Sequence, residues 1–277
     1  MNPSDSAYRP ARKSDGSGPL LSIITVAKND ADRLSKTVAS LNLYFEDERY
    51  EHLVIDGGSS DRTHEVVASL AHIGNFCFES GVDAGIYDAM NRGVRRCSGE
   101  FVLFLNCGDC MVADPDELAH YLESIPDRPL VDIVCFPFKE IDNGRTRLVA
   151  VQPVRPHKMP TSHQGMVFST AFLRLQGFNI RYRVAADYDL YLRARRPGIL
   201  VVPMMMPLSI VEVDGVASGN PARSYMECLT IAFRNLRGME RAVNVFRIGF
   251  RASLIICLKG IIPHRWVRNL RRVGRGR

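Results

Sequence analysis

The first 110 residues contain four short apolar segments that alternate with segments of helical spacing. The apolar segments are residues 20–26, 52–56, 75–78 and 100–106. Between the first two, Leu34, Val38 and Leu41 recur at the spacing of one helix face. Strands that alternate with helices form a parallel sheet covered by helices, and strands buried on both faces are continuously apolar. The sequence therefore predicts an α/β fold with a mostly parallel sheet flanked by helices.

Each of these four segments ends in polar residues. They are Lys28 and Asn29, then Asp56, then Glu79 and Asp83, and finally the stretch from Asn106 to Asp109. Ligands of such sheets bind beyond the carboxyl ends of the strands, where these residues would meet. We therefore expect a polar ligand-binding cleft at this edge of the sheet.

The remainder of the chain has a different pattern, which completes the expected domain organisation. Asp142-Asn-Gly144 between two extended segments predicts a hairpin, a helix is predicted over residues 187–195, and a strand over 199–202. This mixture would suit a second binding site. We expect a polar, disordered arm over residues 1–19, one globular domain over 20–221 and a helical extension over 222–277.

The extension combines apolar helical spacing with strong positive charge. Twelve Lys and Arg residues and one acid lie between 234 and 277, about +11 of charge, whereas the rest of the chain carries about −5 of the net +6. Residues 222–258 are predicted to form an amphipathic helix whose apolar positions are Val245, Ile248, Ala252, Ile255 and Ile256. With Trp266 among arginines further on, this pattern favours an anionic membrane surface as a partner. A packed helix pair or a homo-oligomer interface is the alternative, and the lack of aromatic platforms argues against nucleic acid.

The start of the chain and its cysteines predict a cytoplasmic location. Residues 1–19 lack the apolar core of a signal peptide, and no uncharged apolar run approaches the length of about 18 residues that a membrane span needs. Seven scattered cysteines fit a reducing compartment. Cys107 and Cys110 have redox or metal-ligand spacing, but no second pair accompanies them, so we interpret them as loop residues. With the basic extension, we expect a peripheral protein on the inner face of the cell membrane.

Motifs along residues 20–215 resemble, in order, those of the family 2 glycosyltransferases, which have a GT-A fold. They are Ala27-Lys-Asn29, residues 54–61, residues 83–93, residues 99–109, and the acceptor-side segments 162–164 and 186–193. Each motif is weak alone, but their order is specific. Within this family, the chain resembles bacterial enzymes that build cell-surface polysaccharides or glycolipids.

This resemblance implies a reaction and a role for each matching residue. A hexose would pass, with inversion, from a nucleotide-diphosphate sugar to a hydroxyl of a lipid-linked saccharide or glycolipid. Asp187 would be the catalytic base, Asp109 would bind a divalent metal (Mg²⁺ or Mn²⁺), and His163 and Gln164 would contact the acceptor. The residues that would contact the nucleotide-sugar are Val26, Lys28, Asp56, Asp83, Asp88, Asn91 and Asn106.

The chemistry of these residues agrees with that reaction. A leaving diphosphate needs its charge neutralised, and an attacking hydroxyl needs a base. Two departures from the family pattern matter. At the positions of the two aspartates of the usual Asp-x-Asp metal motif, this chain has Asn106 and Gly108. Directly before Asp187, Ala186 stands where many family members have Glu, so Asp189 is kept as a second candidate for the base. Without a metal, Lys28 or an Arg would neutralise the diphosphate.

Several alternatives stay open at this level. Asp56 and Asp109 could stabilise turns, Asp88 and Asp187 could cap helices, and His163 could be an ordinary hydrogen-bonded histidine. The chain could also be a non-catalytic nucleotide-sugar-binding protein, because its acidic motif is eroded. A sugar-1-phosphate nucleotidyltransferase is disfavoured, because no Gly-rich loop with basic residues follows the first strand.

Overall fold

The four predicted strands lie side by side in one seven-stranded sheet. The computed structural model describes residues 18–261 apart from 71, 143, 156–157, 195, 202–205 and 213–220. The chain divides into two units after Gly215. Most of the predicted arm and the segment around Trp266 lie outside the described residues.

The strands follow the predicted order along the chain, with small shifts at their ends. They are β1 (Leu21–Ala27), β2 (Tyr50–Asp56), β3 (Phe76–Ser80), β4 (Phe101–Phe104), β5 (Cys110–Met111), β6 (Ile133–Cys135), β7 (Phe138–Asp142), β8 (Arg145–Val149), β9 (Met166–Ser169), β10 (Ile199–Val201) and β11 (Ser209–Glu212). The fourth strand ends earlier than predicted, so that residues 105–109 form a loop at the carboxyl edge.

The order of the large sheet is β10-β6-β9-β4-β1-β2-β3. β1 is parallel to β2 and β4, β2 is parallel to β3, and β6 is parallel to β10. In contrast, β9 runs antiparallel to both β4 and β6. Every residue of β1 and β2 is buried, as continuous apolar strands require. The predicted α/β fold with a mostly parallel sheet is confirmed.

The helices of the first unit pack around this sheet. They are α1 (Ala31–Ala39), α2 (Thr63–Ala68), α3 (Ile86–Arg96), α4 (Pro115–Ser124), α5 (Thr170–Gln176) and α6 (Ala186–Arg193). α3 approaches the sheet closely at Gly93, where a Cβ atom would lie 2.7 Å from Ile24 Cγ2 and 3.3 Å from Ile55 Cγ1. This close packing fixes the loop before α3 at the carboxyl edge.

A second, four-stranded sheet has the order β5-β11-β7-β8. β7 and β8 pair antiparallel on either side of Gly144, so the predicted hairpin is confirmed. β11 pairs with both β7 and β5, and β5 directly follows the 105–109 loop. The small sheet therefore supports one side of that loop.

The second unit contains two helices rather than the single amphipathic helix predicted over 222–258. They are α7 (Pro221–Asn235) and α8 (Gly238–Ile261). Gly238 has a positive φ of 53°, a conformation that ends helices and that glycine adopts without strain. The two helices pack on each other, with the Arg241 guanidinium 4.7 Å from the centroid of the Phe233 ring. No helix in the described ranges has the length and hydropathy of a membrane span.

Candidate active site

The carboxyl edge of the sheet brings together the 105–109 loop and the short turn that precedes β9. Because β9 is antiparallel to β4, the turn His163–Gly165 lies beside that loop. Asn106 Nδ2 lies 2.9 Å from His163 Nε2. The amide therefore donates to the imidazole in the tautomer whose proton is on Nδ1. This tautomer directs an N–H group toward Asp187.

Asp187 lies in the first turn of α6, with its two carboxylate oxygens in different surroundings. Oδ1 accepts a hydrogen bond from Tyr188 N at 2.8 Å and lies 3.4 Å from the Tyr87 hydroxyl. Oδ2 faces His163 Nδ1 at 3.5 Å, and the side chains of His163 and Asp187 are 20% and 15% exposed. The contacts from Asn106 through His163 thus end at a partly accessible carboxylate oxygen, which is an arrangement suited to a general base.

Asp109 is a buried carboxylate that is bound to the same turn. Its Oδ2 accepts a hydrogen bond from Gln164 Nε2 at 3.1 Å. Burial raises the pKa of Asp109 to about 6, although His163, Gln164 and Arg33 act to lower it. Gln164 is also buried, and its Oε1 accepts from the Ser162 hydroxyl. Both ends of the Gln164 side chain are therefore engaged within the protein, so in this structure it holds the loop.

Asp56 is fully buried at the end of β2, where its carboxylate organises the next turn. It accepts hydrogen bonds from the amide and hydroxyl of Ser59, and the Ser80 hydroxyl donates to Oδ2 at 2.6 Å. Burial acts to raise the pKa of Asp56, but these hydrogen bonds and nearby His64 outweigh it and lower the pKa. These contacts support the turn-stabilising alternative, and a contact with the nucleotide stays a prediction.

The loops after β1 and β2 are tied to each other by side-chain hydrogen bonds. Asn29 N donates to Ser59 Oγ at 2.7 Å, and Ser60 N donates to Asn29 Oδ1 at 2.8 Å. Asn29 has a positive φ of 50°, which Asn tolerates better than most residues. The first two polar strand ends are therefore held together, as the sequence predicts.

Lys28 and Asp83 both lie beside Gly57, whereas Val26 lies inside the sheet. A Cβ atom at Gly57 would be 3.2 Å from Lys28 Cδ and 2.5 Å from Asp83 Oδ2. Lys28 is exposed and Asp83 is partly exposed, so both are accessible to a ligand. Val26 is buried, and its carbonyl accepts from Cys107 Sγ at 3.3 Å.

Two further residues predicted to contact the nucleotide, Asp88 and Asn91, form hydrogen bonds within the protein. Asp88 Oδ2 accepts from Ala84 N at 3.0 Å, which stabilises the turn into α3. Asn91 Nδ2 donates to Phe178 O at 2.9 Å, and its Oδ1 accepts from Phe178 N at 2.8 Å. Binding a nucleotide through the Asn91 amide would require these bonds to break, so the described contacts give Asn91 a loop-fixing role.

Asp189, the second candidate for the base, is committed to an ion pair. Arg193 Nε and Nη2 both lie 3.0 Å from Asp189 Oδ2, and the Asp189 side chain is 7% exposed. The same guanidinium donates to the carbonyl groups of Gln176 and Gly177 at 2.8 and 2.7 Å. Asp189 therefore joins α6 to the end of α5, and Asp187 is the better placed of the two carboxylates.

The residues around Asp109 fit a divalent cation poorly. Across the described ranges, no three His, Cys, Asp or Glu side chains are grouped so that they could hold a metal ion. Asn106 Oδ1 is buried without a hydrogen-bond partner and is one suitable oxygen. However, Gly108 occupies the position of the second aspartate of the usual Asp-x-Asp motif, and the cationic Arg33 side chain fills the space beside it. A hard cation needs several oxygen ligands, so the metal stays a prediction and no step of the reaction is built on it.

Two residues in these contacts were not predicted from the sequence. Tyr87 donates its hydroxyl to Val184 O at 2.9 Å, and burial raises its pKa well above the usual value, so it remains a neutral donor beside Asp187. Arg33 lies against Gly108, next to Asp109. Tyr87 lies inside a family motif, but nothing in the spacing of Arg33 on α1 distinguishes it from an ordinary surface arginine.

Known proteins show the same fold at low sequence identity. The *Staphylococcus aureus* protein TarS (residues 1–349, in complex with UDP-GlcNAc) is 19% identical, with a TM-score of 0.64, over 83% of this chain and 71% of that chain. The mannosyltransferase PcManGT from *Pyrobaculum calidifontis*, in complex with GDP-Man and Mn²⁺, is 18% identical, with a TM-score of 0.58, over 99% of this chain and 83% of that chain. The fold is therefore that of the GT-A glycosyltransferases.

Sequence comparison gives closer relatives. An uncharacterized glycosyltransferase of *Mycobacterium tuberculosis* (strain ATCC 25618 / H37Rv) is 31% identical over 219 residues, 74% of this chain and 78% of the relative. A PGL/p-HBAD biosynthesis glycosyltransferase of the same strain is 28% identical over 191 residues, 67% of this chain and 74% of the relative. The model of "Glycosyl transferase family 2" matches residues 22–188. The chain therefore belongs to glycosyl transferase family 2.

Proposed function

We propose that this chain is an inverting glycosyltransferase that moves a hexose from a nucleoside-diphosphate sugar to an acceptor hydroxyl. The observation that supports it most directly is the contact of Asp187 Oδ2 with His163, which Asn106 orients at the carboxyl edge of the sheet. Nucleotide-sugars of more than one base are bound by proteins with this fold, UDP-GlcNAc by TarS and GDP-Man by PcManGT.

The proposed reaction uses one carboxylate oxygen as the base. The proton of the acceptor hydroxyl passes to Asp187 Oδ2 while the acceptor oxygen bonds to the anomeric carbon. The bond from that carbon to the diphosphate oxygen breaks, and the electron pair leaves with the nucleoside diphosphate. Attack and departure occur on opposite faces of the sugar, so the anomeric configuration inverts.

The donor would lie along the tied loops after β1 and β2. Lys28 is exposed there and Asp83 is partly exposed, and Asp56, Asp88, Asn91 and Asn106 shape the loops around them. PcManGT holds Mn²⁺ with its donor, which supports the predicted divalent metal by analogy. Comparing turnover in excess Mn²⁺ and in chelator tests that requirement directly.

A panel of UDP-, GDP- and dTDP-sugars tests the proposal in two stages. A donor that binds the folded chain raises its melting temperature. Release of nucleoside diphosphate is then measured with lipid-linked and soluble acceptors, and the anomeric coupling of the product is read by NMR. Binding without hydrolysis or transfer would favour the non-catalytic alternative, pyrophosphate release from a nucleoside triphosphate would favour a nucleotidyltransferase, and retained configuration would contradict inversion.

We further propose that the second unit holds the enzyme on an anionic membrane, on the inner face of the cell membrane. Along α8, Met239, Val243, Phe246 and Phe250 recur at helical spacing and are 78%, 42%, 72% and 60% exposed. The stripe does not include Val245 and Ile248, two of the apolar positions predicted from the sequence, which are partly exposed. The side chains of the other three, Ala252, Ile255 and Ile256, lie outside the part of the chain that the structure describes, and exposed Arg247 lies beside the stripe. Aromatic side chains on a basic helix suit an anionic lipid surface.

A membrane-bound enzyme would act on an acceptor in the same surface, so we propose a lipid-linked saccharide or glycolipid, in keeping with the PGL biosynthesis name of one relative. Replacing Phe246 and Phe250 by Ser should weaken binding to phosphatidylglycerol vesicles by about tenfold or more. Leu43→Ser, at a position that is 74% exposed in the first unit, is the matched control. If the double variant binds vesicles like the wild type but has half of its molecular mass in solution, the stripe would instead be a dimer interface.

A further inference from the structure

Arg33 lies in the space where a metal-binding carboxylate would be expected. Gly108 has a positive φ of 91°, and a Cβ atom there would be 2.4 Å from Arg33 Nε and 2.8 Å from Nη2. The amide of Gly108 also donates to the carbonyl of Arg33 at 3.1 Å. Both the backbone and the guanidinium of Arg33 therefore lie against the loop after β4, and a side chain at position 108 would have to displace the guanidinium.

The guanidinium of Arg33 is weakly engaged by the protein. Its Nη1 lies 3.6 Å from Asp30 Oδ2, which is longer than a hydrogen bond, and its Nε is buried without a hydrogen-bond partner. By comparison, Lys36 on the same helix is hydrogen-bonded to Glu212, and Arg62 lies 2.8 Å from Asp32. Arg33 is 42% exposed, so its positive charge is accessible at the edge of the sheet where ligands bind.

The position of Arg33 relative to the base suits a leaving group. Arg33 contacts Gly108, the next residue Asp109 is bound by Gln164, and neighbouring His163 contacts Asp187. This series of contacts connects a cation to the proposed base. An inverting transfer needs both groups, because the proton is taken on one face of the sugar and the diphosphate departs from the other.

We propose that Arg33 binds the diphosphate of the donor and neutralises its charge as it leaves. This inference rests on the proposed function. Arginine presents paired N–H donors that match phosphate oxygens, and it needs no further ligands. The Arg33 side chain would therefore supply part of the positive charge that a bound cation supplies when both carboxylates of the Asp-x-Asp motif are present.

The test compares a nucleoside diphosphate with its monophosphate on the full chain. The base is the one whose sugar binds in the donor panel, and affinities are measured by calorimetry in EDTA and again in Mn²⁺. Arg33→Gln should lower the affinity for the diphosphate by about tenfold to a hundredfold and leave the monophosphate within about threefold. Arg33→Lys should recover much of the loss, and Arg128→Gln, at a partly exposed arginine that pairs with Glu100 at the opposite end of β4, should bind like the wild type.

The outcomes separate this inference from the proposed function. If the wild type binds no nucleotide at all, the proposed function fails. If the wild type binds and Arg33→Gln binds the diphosphate equally well, the role of Arg33 is overturned and the function stands. A difference that occurs only in Mn²⁺ would also overturn it, because Arg33 would then be acting on a cation site. Melting temperatures of the variants establish that each one is folded.

Discussion

His163 Nδ1 faces Asp187 Oδ2 at 3.5 Å, while the other oxygen of Asp187 accepts from the backbone of its own helix. This division gives one oxygen a backbone contact and turns the other toward the imidazole. In the proposed reaction, Oδ2 is the oxygen that takes the proton from the acceptor.

Asp187→Asn should therefore remove turnover without removing the donor site. Asn keeps the shape and the hydrogen bond to Tyr188 but cannot accept the proton. Turnover should fall by about 10²–10⁴-fold, while the affinity for the nucleotide stays near that of the wild type. Nucleoside diphosphate release and calorimetric binding measure the two quantities. The matched control, Asp189→Asn, should lower the melting temperature because it breaks the pair with Arg193, and loss of turnover in that folded variant alone would show that Asp189 is the base.

His163 and Asn106 should act as one unit. Either variant should lower kcat and change the pH dependence of kcat, because His163→Ala removes the imidazole that faces Asp187 and Asn106→Ala removes the amide that orients it. In the double variant the second substitution should cost little more than the first, with a coupling free energy of about 0.5–3 kcal/mol. Steady-state rates of the four proteins give the coupling. Additive losses would mean that the two residues serve separate purposes.

Asp109 should destabilise the folded chain as it ionises. Burial raises its pKa from 3.8 to about 6, so the folded state binds the proton more tightly than the unfolded state does. The associated stability is present below pH 4 and is lost as the pH rises to about 6, at a cost of up to about 3 kcal/mol. The free energy of unfolding of Asp109→Asn, relative to that of the wild type, should therefore increase as the pH rises from 4.5 to 7.5. Urea unfolding in EDTA measures this, and a gain independent of pH would contradict it.

Asp56→Ala should lower stability more than it lowers nucleotide affinity. The substitution leaves the Ser59 and Ser80 donors without their acceptor, at a cost of about 2–3 kcal/mol. Because the pKa of Asp56 is lowered by these bonds, its stabilisation is present above about pH 4 and declines as the pH falls further. Thermal unfolding at neutral pH measures the loss. If the variant is as stable as the wild type but no longer binds nucleotide, the prediction that Asp56 contacts the donor would be supported.

The sequence predicted the sheet well because its signals are local. The alternation of apolar strands with helices depends on neighbouring residues, and β1 to β4 occur where that pattern places them. The contacts of the candidate site are not local. Asn106 meets His163 across 57 positions, and Tyr87 meets Asp187 across 100. A motif can indicate that such residues belong to a site, but it does not reveal that Gln164 holds Asp109 or that Arg33 fills the space beside Gly108.

The reversed direction of β9 brings two different kinds of segment to one edge of the sheet. The loops proposed to hold the donor follow β1, β2 and β3, whereas the turn proposed to contact the acceptor precedes β9, after the β7–β8 hairpin. An exchange of residues 138–165 between relatives would therefore replace the hairpin and the turn without interrupting any strand that leads to the donor. Chimeras joined at these two points would test whether the acceptor can be changed while the donor is kept, as long as the new turn preserves the contacts of His163 with Asn106 and of Gln164 with Asp109.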